Sequence, residues 1–213
     1  MYSRAMPHDS DEIHAHSLLP TEPELRVKAL ETILESKGLI DRKAVDAIID
    51  MYENKIGPRI GATVIAKAWC DKYFKKKLVN NTKGILADLG FCGRQGEHIV
   101  VVENTPDCHN LVVCTLCSCY PWPLLGVPPA WYKSDSYRSR AVKEPRSILR
   151  EFGLIVGKKT KIRVWDSTAE IRYLVLPMQP KSSFGIVEKD LVSWVTRNSM
   201  IGTGLPEDPA ARL

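Results

Sequence analysis

The six residues Cys114-Thr115-Leu116-Cys117-Ser118-Cys119 constrain this chain more than any other stretch. They follow the apolar run Leu111-Val112-Val113, which reads as a buried strand. Tyr120-Pro121-Trp122-Pro123 comes next, and its two prolines can continue neither a ladder nor a helix. The block therefore sits on a sharp loop at the end of a strand, where the backbone can fold onto a bound ion. Thiolates at Cys117 and Cys119 flank the peptide nitrogens of Ser118 and Cys119. If both amides lost their protons, these four donors would close three fused chelate rings around one ion, roughly in a plane. Cys114 would cap that plane from one side and leave the opposite face open for water or substrate. Two plainer readings stand beside this one. One is a tetrahedral zinc site completed by Cys108 or His109, although Cys-x-Cys matches no common finger spacing. The other is three buried or redox-active thiols without metal.

The longer run from Val112 to Pro123, continued by Leu125-Gly126-Val127-Pro128-Pro129 and Trp131-Tyr132-Lys133, resembles the metal-binding signature of the nitrile hydratase alpha subunit. The likeness extends upstream through Gln95-Gly96-Glu97-His98 and Val102-Glu103-Asn104-Thr105-Pro106. Downstream it takes in Tyr137-Arg138-Ser139-Arg140, Glu144-Pro145-Arg146 and Arg163-Val164-Trp165-Asp166-Ser167, so that it spans most of the chain from about Glu22 to Gly204. Three thiolates and two amidates suit a low-spin trivalent ion. The resemblance implies Co(III), with Fe(III) as the alternative, and Thr115 at the second position of the motif points to cobalt. It implies Cys114, Cys117, Ser118 and Cys119 as the metal-binding residues. It also implies oxidation of Cys117 to sulfinic acid and of Cys119 to sulfenic acid, successive rungs of one ladder.

The activity implied is hydration of a small nitrile to the amide. The ion would act as a Lewis acid, and the Cys119 sulfenate would attack the substrate or orient and deprotonate water. Cys119, Ser118, Gln95 and Trp122 are the catalytic candidates, Gln95 and Trp122 as pocket residues or simply as packing. Arg172 and Asp166 resemble supports behind the ligands, or else a structural ion pair. Such a subunit works with a beta subunit whose arginines offset the buried negative charge, as a heterodimer or a dimer of heterodimers, and is loaded by a cobalt activator protein. Two rivals share the motif. The metal subunit of thiocyanate hydrolase is similar but usually carries Arg where this chain has Trp122. A non-enzymatic metal-binding or scaffold module is the other.

The remainder of the chain bounds these readings. Net charge is a modest +5 over 213 residues, so the basic runs at Lys72 to Lys77 and Lys158 to Lys161 read as solvated faces or contacts to an acidic partner. No nucleic-acid partner is expected. No stretch has the pattern of a secretory signal or approaches the ~20 apolar residues that span a bilayer, and clustered cysteines suit a reducing interior; a cytoplasmic location is the expectation. His-Glu-x-x-His, Gly-x-Ser-x-Gly and Gly-x-Gly-x-x-Gly are absent. Cys70, Cys92 and Cys108 read as small packing residues.

The fold class expected is α+β: a helical arm followed by a layered α/β/β/α domain with mixed sheets. Residues 1–20, with His8, His14 and His16, read as a flexible tail. Residues 21–83 read as a helical arm that contacts the partner, with Val45, Ile48, Ile49 and Tyr52 facing inward on its second helix. Residues 84–205 form the metal-binding catalytic domain, and 206–213 a second tail. Ile99 to Val102 and Leu111 to Val113 are expected to pair across the turn Asn104-Thr105-Pro106-Asp107. A helix opens at Pro145 and closes at Gly153, a short helix spans Glu188 to Val195, and Met200-Ile201 is read as a strand.

Overall fold

A computed structural model describes residues 3–4, 22–51, 57–91 and 98–209. Two helices come first, α1 (Glu22–Ser36) and α2 (Arg42–Asp50), the latter capped by the Asp41 side chain on Lys43 N–H. Then follow α3 (Gly57–Cys70), α4 (Lys72–Asn80) and α5 (Thr82–Asp88). Asp71 caps α4 by accepting from the N–H groups of Tyr73 and Phe74, and Asn81 caps α5 by accepting from Gly84.

The apolar faces of these helices meet different fates. Ile65 and Leu78 are fully buried, whereas Leu25, Leu30, Ile33, Ile48 and Ile49 are exposed. The inward face expected for α2 is thus a correction: Val45 is half-buried, and Tyr52 lies outside the described residues. None of these α1 and α2 side chains packs into the core, which α3 covers instead.

Among the described residues there are six strands: β1 (Ser3–Arg4), β2 (Ile99–Glu103), β3 (Cys108–Val113), β4 (Leu154–Ile155), β5 (Lys161–Asp166) and β6 (Arg172–Leu176). β1 and β4 form a small antiparallel pair. β2 pairs parallel with β6, Ile99 opposite Arg172, and β3 pairs parallel with β5, Cys108 opposite Lys161. The hairpin expected between β2 and β3 does not form; only Thr105 and Cys108 bridge across the turn. Burial explains this. From His109 to Val113 every residue of β3 is buried, the mark of a strand covered on both faces, which suits a parallel partner reached by a crossover.

The crossover carries α6 (Trp122–Leu125), α7 (Ala130–Lys133), α8 (Asp135–Lys143) and α9 (Pro145–Glu151). α4 and α5 lie on β2, α8 lies on β3, α9 lies on β5, and the two parallel pairs meet through β3 and β6. This is the layered α/β/β/α order expected. The chain closes with α10 (Glu188–Leu191), a 3-10 turn (Val192–Trp194) and α11 (Arg197–Ile201). α11 replaces the strand expected at Met200-Ile201. Thr196 and Ser199 form a reciprocal capping box at its start, and Gly202 ends it at φ 89°. Only glycine fits there, because a Cβ would stand 2.0 Å from the Asn110 carbonyl oxygen. Among the described residues, no helix is long and apolar enough to cross a membrane.

Candidate metal centre

β3 and β5 run side by side and end together at Val113 and Asp166. The cysteine loop starts at that end, at the carboxyl edge of a parallel pair, where open α/β folds collect their ligands. Cys114 is buried, Cys119 half-buried and Cys117 exposed. Their sulfurs lie within 4.8 Å of one another, with Cys114 Sγ 3.3 Å from Cys117 Sγ and Cys117 Sγ 3.2 Å from Cys119 Sγ. Two sulfurs each ~2.3 Å from one ion stand ~3.3 Å apart at a right angle and ~3.8 Å apart in a tetrahedron. The observed spacing fits the right-angled arrangement of an open centre. In the chain, the peptide nitrogens of Ser118 and Cys119 fall between the two outer thiols.

The tetrahedral alternative loses its fourth ligand. Cys108 and His109 begin β3, so a strand of ~17 Å separates them from the loop. His109 is instead buried between Asn104 Nδ2, 3.4 Å from its Nδ1, and the Gly202 carbonyl, 2.7 Å from its Nε2. Among the described residues, the three loop cysteines are the one cluster of histidine, cysteine and carboxylate side chains arranged to hold a metal.

Other elements hold the loop. Asp166, at the tip of β5, accepts from Thr115 N–H at 2.9 Å and from the Thr115 hydroxyl at 2.6 Å. Tyr132 donates its hydroxyl to the Cys119 carbonyl at 2.9 Å, and Arg138 Nη1 reaches the Cys117 carbonyl at 3.5 Å. Ser167 N–H donates to the Val113 carbonyl at 2.7 Å, and the Tyr137 hydroxyl to the Val112 carbonyl at 2.6 Å. Tyr120 packs edge-on to Tyr132, ring centres 5.0 Å apart, and walls the loop from behind. Pro123 sits in the first turn of α6, where a missing N–H costs nothing, so the two prolines open a helix after the loop.

The thiols are not equivalent. Hydrogen bonds to Cys119 and then Cys114 hold the Cys117 thiol below the usual thiol range. Burial, and then the contact with Cys117, pushes Cys119 up to about 12. Of these two thiols, Cys117 is therefore the more readily ionised.

The other candidates fall as follows. Trp122 begins α6, half-buried against the core, within three residues of Cys119. Gln95 and Cys92 lie outside the described residues. Asp166 and Arg172 share the loop's end of the molecule but do not pair; the Arg172 guanidinium is buried and donates to the Ala169 carbonyl at 2.8 Å. Both Asp166 oxygens accept from Thr115, and the Arg172 guanidinium donates to Ala169 instead. Cys70 is exposed rather than packed, because it ends α3 at the surface, and Cys108 is half-buried. Sequence alone does not single out Tyr132, Tyr137 or Arg138, whose only signal is their place in the quoted runs Trp131-Tyr132-Lys133 and Tyr137-Arg138-Ser139-Arg140.

A sequence model described as nitrile hydratase, alpha chain, matches residues 21–204. The alpha subunit of the low-molecular weight cobalt-containing nitrile hydratase of Rhodococcus rhodochrous is 50% identical over 185 residues, 87% of this chain and 89% of that one. The gamma subunit of thiocyanate hydrolase from Thiobacillus thioparus is 37% identical over 167 residues, 73% of this chain and 69% of its own length. A solved double mutant of the Fe-type nitrile hydratase from Comamonas testosteroni Ni1 superposes with a TM-score of 0.81 at 38% identity, covering 88% of this chain and 91% of that one. Sequence, architecture and the sulfur geometry at the end of β3 converge, and this chain belongs to the nitrile hydratase alpha chain family.

Proposed function

We propose that this chain is the metal-bearing alpha subunit of a cobalt nitrile hydratase, which converts a small nitrile and water to the corresponding amide in the cytoplasm. The observation that carries this reading is the sulfur geometry, one buried and two accessible sulfurs spaced for a right-angled set around a single ion. Cys114, Cys117, Cys119 and the peptide nitrogens of Ser118 and Cys119 are the donors. Co(III) bound there supplies a Lewis acid, which activates a nitrile or a water molecule. Thr115 favours cobalt over Fe(III), in line with the cobalt-containing relative.

Accessibility divides the labour among the sulfurs. Cys114 is fully buried and stays a plain thiolate, while an oxidant reaches Cys117 and Cys119 from the open side and leaves sulfinic acid on the first and sulfenic acid on the second. The sulfenic oxygen of Cys119 then faces the substrate, where it attacks the nitrile carbon or takes the proton of the water that does. Trp122 and Gln95 shape the pocket. Asp166 fixes the first turn of the loop through Thr115, and buried Arg172 holds the turn that leads from β5 into β6. A beta subunit covers the exposed apolar face of α1 and α2 and closes the site from outside, giving a heterodimer or a dimer of heterodimers. An activator protein delivers the cobalt.

The test is metal analysis of the chain co-expressed with its beta-type subunit and a cobalt-loading protein, together with the intact mass of the tryptic fragment Gln95–Lys133. One cobalt per chain, with two oxygens on Cys117 and one on Cys119, supports the reading. Zinc with unmodified thiols overturns it.

A further inference from the structure

In the metal reading, three sulfur donors and two deprotonated peptide nitrogens carry about five negative charges against the three of a trivalent ion, and one side chain of the chain itself stands in position to answer the excess. Arg138 lies on α8, on the wall of a cavity of about 490 Å³ that it shares with Thr115, Ser139, Val142 and Lys143. Its guanidinium is tied to Asp135 one turn earlier. Nη1 reaches the Cys117 carbonyl at 3.5 Å, and Nε is buried without a hydrogen-bond partner. Among the described residues, no other lysine or arginine side chain is hydrogen-bonded to the loop from Cys114 to Cys119. The side chain is only 22% exposed, so its charge is weakly screened.

The carbonyl it meets is significant. The oxygen of Cys117 and the nitrogen of Ser118 belong to one peptide unit, the unit that supplies a nitrogen to the donor set. A cation on that oxygen holds the plane of the peptide against the ion and opposes the charge gathered by the sulfurs. A neutral side chain could hold position but could not oppose charge. Leaving an anionic cluster without compensation in a sheltered place is costly.

We infer that Arg138 is a positioning residue of the metal centre: held by Asp135, it seats the Cys117–Ser118 peptide and offsets from within this chain the negative charge of the loaded loop. The inference rests on the metal reading above and concerns how the centre is retained, apart from its turnover.

The experiment compares wild type, Arg138→Met, Arg138→Gln and Arg138→Lys, each co-expressed with the beta-type subunit and loaded with cobalt. The readouts are the rate of cobalt loss to EDTA and the sulfur-to-cobalt charge-transfer absorption. Arg138→Met and Arg138→Gln are expected to lose cobalt about tenfold faster, the size of one charged hydrogen bond, with a shifted absorption band; Arg138→Lys falls between them and wild type. If wild type holds cobalt while Met and Gln variants keep both its loss rate and its band, the assignment of Arg138 is overturned and the metal reading survives. If wild type itself holds no cobalt, the metal reading falls and this inference with it. A purely structural arginine would lower the melting temperature of the metal-free chain and leave the band of the loaded chain in place, which also overturns the proposal. Should Arg138→Met not assemble, Arg138→Gln, with a similar stem and an N–H donor, decides.

Discussion

At one end of the molecule, β2 and β6 run out at Glu103 and Leu176 into turns whose polar groups pair with one another; at the other end, β3 and β5 run out at Val113 and Asp166 into three cysteines. Both ends are carboxyl edges of two-stranded parallel pairs. At the closed end, buried Asn104 accepts from Asn110 N–H at 2.7 Å and from Asn110 Nδ2 at 2.9 Å, while Asn110 Nδ2 also reaches the Glu103 carbonyl at 2.8 Å. His109 completes this network. At the open end, the loop is gripped from outside by Asp166, Tyr132 and Arg138, and the Cys117 and Cys119 sulfurs remain accessible. The same strand architecture thus gives a sealed turn or a ligand site. Which one depends on whether the side chains satisfy the backbone or the backbone is held so that side chains can bind something else.

Substitutions at the two ends should separate along that line. The largest effect is expected at the open end: Cys114→Ser removes the buried sulfur and should abolish cobalt retention, read by metal analysis of the purified complex, while the chain keeps its fold. Full metallation of that variant would show that Cys114 is not a ligand. At the closed end, Asn104→Ala should leave cobalt in place and cost ~1–3 kcal/mol of stability, because it strands the buried Asn110 donors; urea midpoints check this, and an unchanged midpoint would mean that water replaces the amide.

A third experiment uses pH. Burial holds the His109 imidazole below its ordinary 6.5. The unfolded chain therefore takes up a proton that the folded chain refuses, so this contribution is intact above pH 6.5 and is lost as pH falls through 6.5 towards the lower folded value. Stability should drop by up to ~1.4 kcal/mol per pH unit in that window, and His109→Asn should flatten the slope; parallel slopes in the two proteins would remove His109 from the account. The smallest effect belongs to the rim of the closed end. The ion pair of Lys75 with Glu103 is 35% exposed on both sides, and Lys75→Met should change stability by less than ~0.5 kcal/mol, as thermal melts can measure.

Legibility in the sequence followed the reach of the interactions. Cys114 to Cys119 announce their chemistry because the donors are neighbours in the chain, and their spacing survives any fold that places them on a loop. The helix that opens at Pro145 is readable for the same reason. The capping box of Thr196 and Ser199 with Gly202 behind it was also present, yet the apolar pair Met200-Ile201 reads equally as strand when those caps are not weighed. The partner of β2 was not readable. Val100 to Val102 and Leu111 to Val113 suit each other as well as they suit β6 and β5, and only the layering of both pairs selects between them.

By itself, then, the sequence determined the family, the three cysteines gathered on one loop and the α+β layering, since each rests on local spacing or on residues met in order. Tertiary structure decided what depends on distant residues meeting. It removed Cys108 and His109 from the site by placing them a strand's length away, gave Asp166 to Thr115 rather than to Arg172, and brought Arg138 to the Cys117 carbonyl. It also left the apolar stripe of α1 bare while burying that of α3. The reason is common to all four: a side chain's type fixes what it can bond, and only the folded chain fixes which partner comes within reach.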